Sequence, residues 1–162
     1  MLALDTYLIL MNSIPNGIFT CKGSPLLKPF AEFVNEDTVL AAIEENKNDE
    51  NYDLLQRNLQ QLKKMRLLNG KQLNIVELPM PDDVIYQDQR LPASYANFYI
   101  ANQSVIVPAY RSDKDERVLD IIQECFPDRN VMGIDSTDII WGLGSFHCLS
   151  QQEPEVEMRN KK

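Results

Sequence analysis

Apolar positions along the chain recur with two different periods, and the switches between them mark out its elements. Phe30 to Val34 alternates like a strand, Asn35-Glu36-Asp37 carries turn chemistry, and Thr38 to Ile43 reads as a second strand. Tyr52, Leu55, Leu59 and Leu62 then recur at spacings of three and four, predicting a helix with one apolar face to pack on a sheet. Asn69-Gly70 supplies a stop signal for that helix. Asn74 to Leu78 predicts another strand, broken by Pro79 and Pro81.

The same order returns further on. Tyr95 to Ile100 predicts a strand, Ala101-Asn102-Gln103 a turn, and Ser104 to Val107 its hairpin partner. Asp113 to Phe126 predicts a helix, with Ser112 and Asp115 at capping-box spacing and Val118, Ile121, Ile122 and Cys125 as the buried stripe. Asn130 to Ile134 predicts a closing strand. Laying Phe33-Val34-Asn35-Glu36-Asp37-Thr38-Val39 over Tyr99-Ile100-Ala101-Asn102-Gln103-Ser104-Val105 matches apolar with apolar and turn with turn.

The chain is therefore α/β, with two copies of a strand-strand-helix-strand unit. Such repetition is the signature of a propeller or solenoid, whose units lean on each other for a core. A terminal strand over Ser145 to Ser150 is expected to begin a third unit, leaving an open arc.

At 162 residues and 44% hydrophobic, the chain can bury one core. A net charge of −8 opposes a broad grip on nucleic acid or on an anionic membrane, so no nucleic acid and no membrane are expected as partners. A small cationic substrate suits this charge better. Cys21, Cys125 and Cys148 form no Cys-x-x-Cys pair, and their odd number does not suggest a secreted disulfide framework. Met1 to Met11 is apolar but carries Asp5, lacks a basic start and is too short for a membrane span. It reads as a strand or a disordered leader of a cytoplasmic protein. No metal or other cofactor is expected, since no ligand cluster or phosphate loop is visible.

The segment with most chemical promise is Trp141-Gly142-Leu143-Gly144-Ser145-Phe146-His147-Cys148. Two glycines permit close backbone approach, and a thiol follows. Cys148 is either a nucleophile, which needs its thiolate form, or a small buried hydrophobe. Cys125, on an apolar helix face, reads as the latter. His147 is the single histidine. Strand parity places it opposite Cys148, so it reads as a packed structural residue. Asn97, inside a predicted strand, is either a satisfied structural amide or a group facing substrate. Asp135 and Asp138 read as turn caps, while Glu44-Glu45 and Asp49-Glu50 read as a solvated loop and a helix start.

Taken in order, several segments resemble the agmatine deiminases and the bacterial-type peptidylarginine deiminases. They are Phe30 to Val39, Leu78-Pro79-Met80-Pro81, Leu91 to Asn102, Phe126-Pro127-Asp128-Arg129, Gly133-Ile134-Asp135 and His147-Cys148 through Gln151-Gln152. The resemblance covers about residues 30 to 154, with 1–29 as an unmatched leader and 155–162 as a charged tail. It implies part of a pentein, a five-bladed α/β propeller of such units around a polar centre. It also implies hydrolysis of a guanidinium group, on agmatine or an arginine side chain, through a cysteine thiouronium intermediate, as in putrescine biosynthesis. By position, Cys148 takes the nucleophile's role, while Asn97 and Gly144 fall at the substrate-binding rim.

The family's Gly-His-x-Asp segment, which supplies an acid/base histidine and a guanidinium-binding aspartate, has no counterpart in Ser24-Pro25-Leu26-Leu27-Lys28-Pro29. Gly142-Leu143-Gly144-Ser145 also departs from the Gly-Gly-Gly-Asn form frequent in agmatine deiminases. The expectation is a truncated deiminase that does not turn over substrate alone, either self-associating as a homo-oligomer or pairing with a chain that supplies the missing blades. Two other readings stand beside it. One is a non-catalytic interaction module with open sheet edges; the other, which strand parity opposes, is a stand-alone hydrolase using His147.

Overall fold

The computed structural model describes residues 31–151. Expectations for the leader, for Phe30, for Cys21 and for the charged tail lie outside the described residues. The first unit runs β1 (Ala31–Phe33), β2 (Thr38–Ile43), α1 (Tyr52–Lys64), β3 (Asn74–Pro79). The second runs β6 (Tyr99–Ile100), β7 (Ser104–Ala109), α2 (Asp115–Cys125), β8 (Asn130–Asp135). Between them a small hairpin joins β4 (Ile85–Tyr86) to β5 (Gln89–Arg90). A 3-10 turn (Ile139–Gly142) and a one-turn helix α3 (Phe146–Leu149) follow β8.

The repeat seen in the sequence is real in three dimensions. Each unit is a three-stranded sheet whose first two strands are antiparallel and whose last is parallel to the middle one. A parallel pair needs a long crossover, which α1 and α2 provide. Thr38 sits opposite Asn74 as Ser104 sits opposite Asn130, matching the overlay residue for residue. The hairpins differ by one residue: Phe33 faces Val39, but Tyr99 faces Ile106. In the first, the Asn35 Oδ1 accepts from the amides of Asp37 and Thr38, an Asx turn that the alanine at 101 cannot make.

The two sheets share a core. Leu40 and Leu78 of the first unit belong to one buried cluster with Val105, Val107, Val118, Ile122 and Phe126 of the second. A separate cluster of Ala31, Val39, Ala41, Leu59 and Leu62 packs α1 on the outer face of its own sheet. Helix α2 thus lies between the sheets, and Arg117 on it reaches Glu45 at 3.1 Å.

Several expectations are corrected. Helix α1 stops at Lys64, well before Asn69-Gly70; those two form the tip of a following turn, where Gly70 takes φ +80°. Ser112 and Asp115 make no capping box, because the Asp115 carboxylate accepts from the Tyr110 amide and the Tyr95 hydroxyl instead. The predicted strand from Tyr95 shrinks to Tyr99–Ile100, preceded by a turn that buries Tyr95 and Phe98. Ser145 to Ser150 is not a strand but is largely α3. Of Glu44-Glu45, Glu45 is exposed in a loop as expected, but Glu44 is buried and accepts from the Asn46 amide; Asp49 and Glu50, in the turn that leads into α1, pair with Arg90 at 2.9 and 3.3 Å. The β4–β5 hairpin was not foreseen. Its turn residues Gln87 and Asp88 both take positive φ without a glycine to mark them.

Candidate active site

Asn97 and Cys148 lie 51 positions apart, and the fold brings them together. Asn97 holds α3 by three bonds. Its Nδ2 donates to the Cys148 Sγ at 3.1 Å, its Oδ1 accepts from the Cys148 amide at 3.1 Å, and its main-chain oxygen accepts from the His147 amide at 3.1 Å. Asn97 itself is buried in the turn before β6, while Cys148 is exposed. The Asn97 amide is thus satisfied, with both of its polar atoms engaged by Cys148.

Gly144 completes the seat from the other side. A Cβ there would come 2.9 Å from the Cys148 Cβ and 3.4 Å from its Sγ, closer than a side chain tolerates. The preceding Leu143 takes φ +63°, a left-handed conformation that suits glycine.

Under the thiol lies a set of hydroxyls that sequence reasoning missed. Tyr110 accepts from the Ser94 amide and donates to the Ser94 carbonyl, both at 3.3 Å. Burial pushes its pKa up to about 12, and the nearby Cys148 adds to the rise. Ser145, at the start of α3, is wholly buried with its hydroxyl close to that of Tyr110.

His147 turns away from this set. Its Nε2 is 3.8 Å from the Glu32 Oε2 on β1, and burial lowers its pKa, keeping the ring neutral. Since α3 is helical, strand parity is the wrong reason for separating His147 from Cys148. The right one is that neighbours on a helix point about 100° apart. Glu32 is buried, and desolvation raises its pKa to about 7. Sequence reasoning passed over it because a carboxylate alternating with Ala31 and Phe33 reads as the solvent side of a strand.

The other candidates lie elsewhere. Cys125 is half-buried on α2, where burial raises its pKa. Asp135 caps the next turn through Thr137 and pairs with Arg111 at 2.7 Å, and these bonds hold its pKa down to about 2. The Asp138 side chain makes no cap. Among the described residues no group of three His, Cys, Asp or Glu side chains is placed to hold a metal, and no helix is long and apolar enough to cross a membrane.

Known proteins of similar sequence and fold are readily found. An agmatine deiminase of Ectopseudomonas mendocina is 28% identical over 94% of this chain and 45% of its own. The solved agmatine deiminase of Enterococcus faecalis superposes with a TM-score of 0.73 at 30% identity, covering 77% of this chain and 39% of that one. The C. jejuni agmatine deiminase gives 0.67 at 34% identity, covering 74% and 36%. The chain thus spans less than half the length of these relatives, and its two units are part of a pentein fold. Residues 28–154 match the Porphyromonas-type peptidyl-arginine deiminases as a sequence family, and the chain belongs to that family.

Proposed function

We propose that this chain carries the nucleophile of a guanidinium hydrolase acting on agmatine or on arginine side chains. The observation behind the reading is the seat of Cys148: an exposed thiol, held by Asn97 at 3.1 Å, with Gly144 leaving room for no side chain behind it. In this reading the thiolate attacks the guanidinium carbon and a C–N bond breaks. The leaving nitrogen takes up a proton and departs as ammonia, leaving an S-alkylthiouronium. Water then adds to the same carbon, the C–S bond breaks, and an ureido product leaves with the thiolate restored.

Asn97 and Gly144 serve here by fixing the sulfur where a flat cation can meet it. The proton for ammonia must come from another group, because the chain's one histidine faces Glu32. With no second histidine to donate, the chain by itself is expected to trap a guanidine mimic and not to turn over agmatine.

The test compares chloroacetamidine, a cationic alkylating amidine, with neutral chloroacetamide, following the Cys148 peptide by mass spectrometry. Selective modification by the amidine, slowed by agmatine and weakened in Gly144→Ala, supports the reading. Equal rates with both reagents, unaffected by agmatine, reject it. Ureido product formed by the chain alone and lost in Cys148→Ala would show that the acid/base lies within it.

A further inference from the structure

Helix α3 is tied to both units of the fold. The second unit holds it through Asn97. From the first unit it is met by Glu32 of β1, through His147. These two ties approach adjacent residues, His147 and Cys148, so any movement of one side of α3 shifts the sulfur against the Asn97 amide.

The Glu32 tie is built loosely. At 3.8 Å the Glu32–His147 contact is roughly 0.8 Å longer than a hydrogen bond between such groups. Glu32 is 8% exposed, and His147 is its one ion-pairing neighbour among the described residues. Strand β2, which pairs with β1, presents only Thr38–Ile43, none of them titratable. From α3 the titratable groups are His147 and Cys148, and Cys148 is faced in turn by Tyr110 beyond β7. No lysine or arginine forms an ion pair with Glu32 among the described residues.

An uncharged carboxyl beside a neutral imidazole can rest in a dry, loose contact. A buried carboxylate cannot: it must gain a hydrogen bond from the imidazole or admit water. Closing the gap draws α3 toward β1, and admitting water pushes it off. Either response moves the helix that bears the thiol. We propose that Glu32, acting through His147, is a positioning residue for Cys148, so that the thiol's reactivity follows the protonation of this pair. The inference rests on the reading of Cys148 as the nucleophile only for its catalytic meaning; the coupling itself is a property of the fold. The raised pKa of Glu32 places the change near neutral pH.

The experiment follows alkylation of Cys148 by iodoacetamide as a function of pH, peptide by peptide, with half-buried Cys125 as internal reference. The unsubstituted chain is expected to show a severalfold step near neutrality, superimposed on the gradual rise with pH that thiol alkylation shows in general. Glu32→Gln removes the step and leaves the rise. His147→Gln, which keeps a neutral amide in place of the ring, removes it as well and covers the case in which the first variant misfolds. A folded chain without the step, or variants that retain it, would overturn the proposal. Because alkylation needs no turnover, a failure of deiminase chemistry would leave this result unchanged, and the two can be told apart.

Discussion

The two units share a plan and differ in what covers them. The sheet of the first is packed on both faces, by α1 on one and by the second unit on the other, so β2 is buried along nearly its whole length. The sheet of the second is packed by α2 on one face and left partly open on the other. Met132 and Ile134 of β8 lie on the other face, 37% and 42% exposed. Equivalent positions therefore carry different loads. Leu40 is fully buried, while its counterpart in the overlay, Ile106, is only partly so. Where the second unit places the core aromatic Phe98, the first places Glu32. Where the first has Ala31, the second has Asn97. The repeat supplies a scaffold twice, and the exceptions to it converge on α3.

Truncating the matched pair tests the comparison most severely. Leu40→Ala should lower stability by about 2–5 kcal/mol, the range for emptying a closed core site, and Ile106→Ala by about 1 kcal/mol, both read from denaturant midpoints. Equal losses would mean that the open face of the second sheet is covered after all. Next comes Glu32. Its folded pKa of about 7 stands above an ordinary value of 4.5, so the folded chain holds a proton that the unfolded chain has released. The contribution is fully present below about pH 4.5 and is lost as pH rises through about 7, a fall of about 3 kcal/mol at most. Glu32→Gln should flatten that dependence and leave the chain more stable at pH 8 than its parent.

Asn97→Ala writes the first unit's residue into the second. Losing the two side-chain bonds to Cys148 should reduce stability by about 1–3 kcal/mol and make the rate of Cys148 alkylation less distinct from that of a free thiol. An unchanged rate would separate Asn97 from the sulfur. The smallest effect belongs to the loop before α3. Leu143→Gly relieves a left-handed residue and should raise stability by about 1 kcal/mol, visible as a higher melting temperature.

The sequence by itself determined the two units, because hydrophobic period is a local property that each sheet and helix must satisfy to bury its face. Thr38–Ile43 emerges from the structure with its predicted bounds, and both crossover helices lie where their stripes put them. Motif order likewise revealed the family. Only the tertiary structure decided the rest. The run from Ser145 to Ser150 is too short to announce a period, so whether it is strand or helix depends on Asn97, far away in the chain. Glu32 obeys the alternation of its strand, and nothing local says that its side faces the interior. Long-range packing fixes both, because burial and hydrogen-bond partners belong to neighbours in space that the chain order does not name.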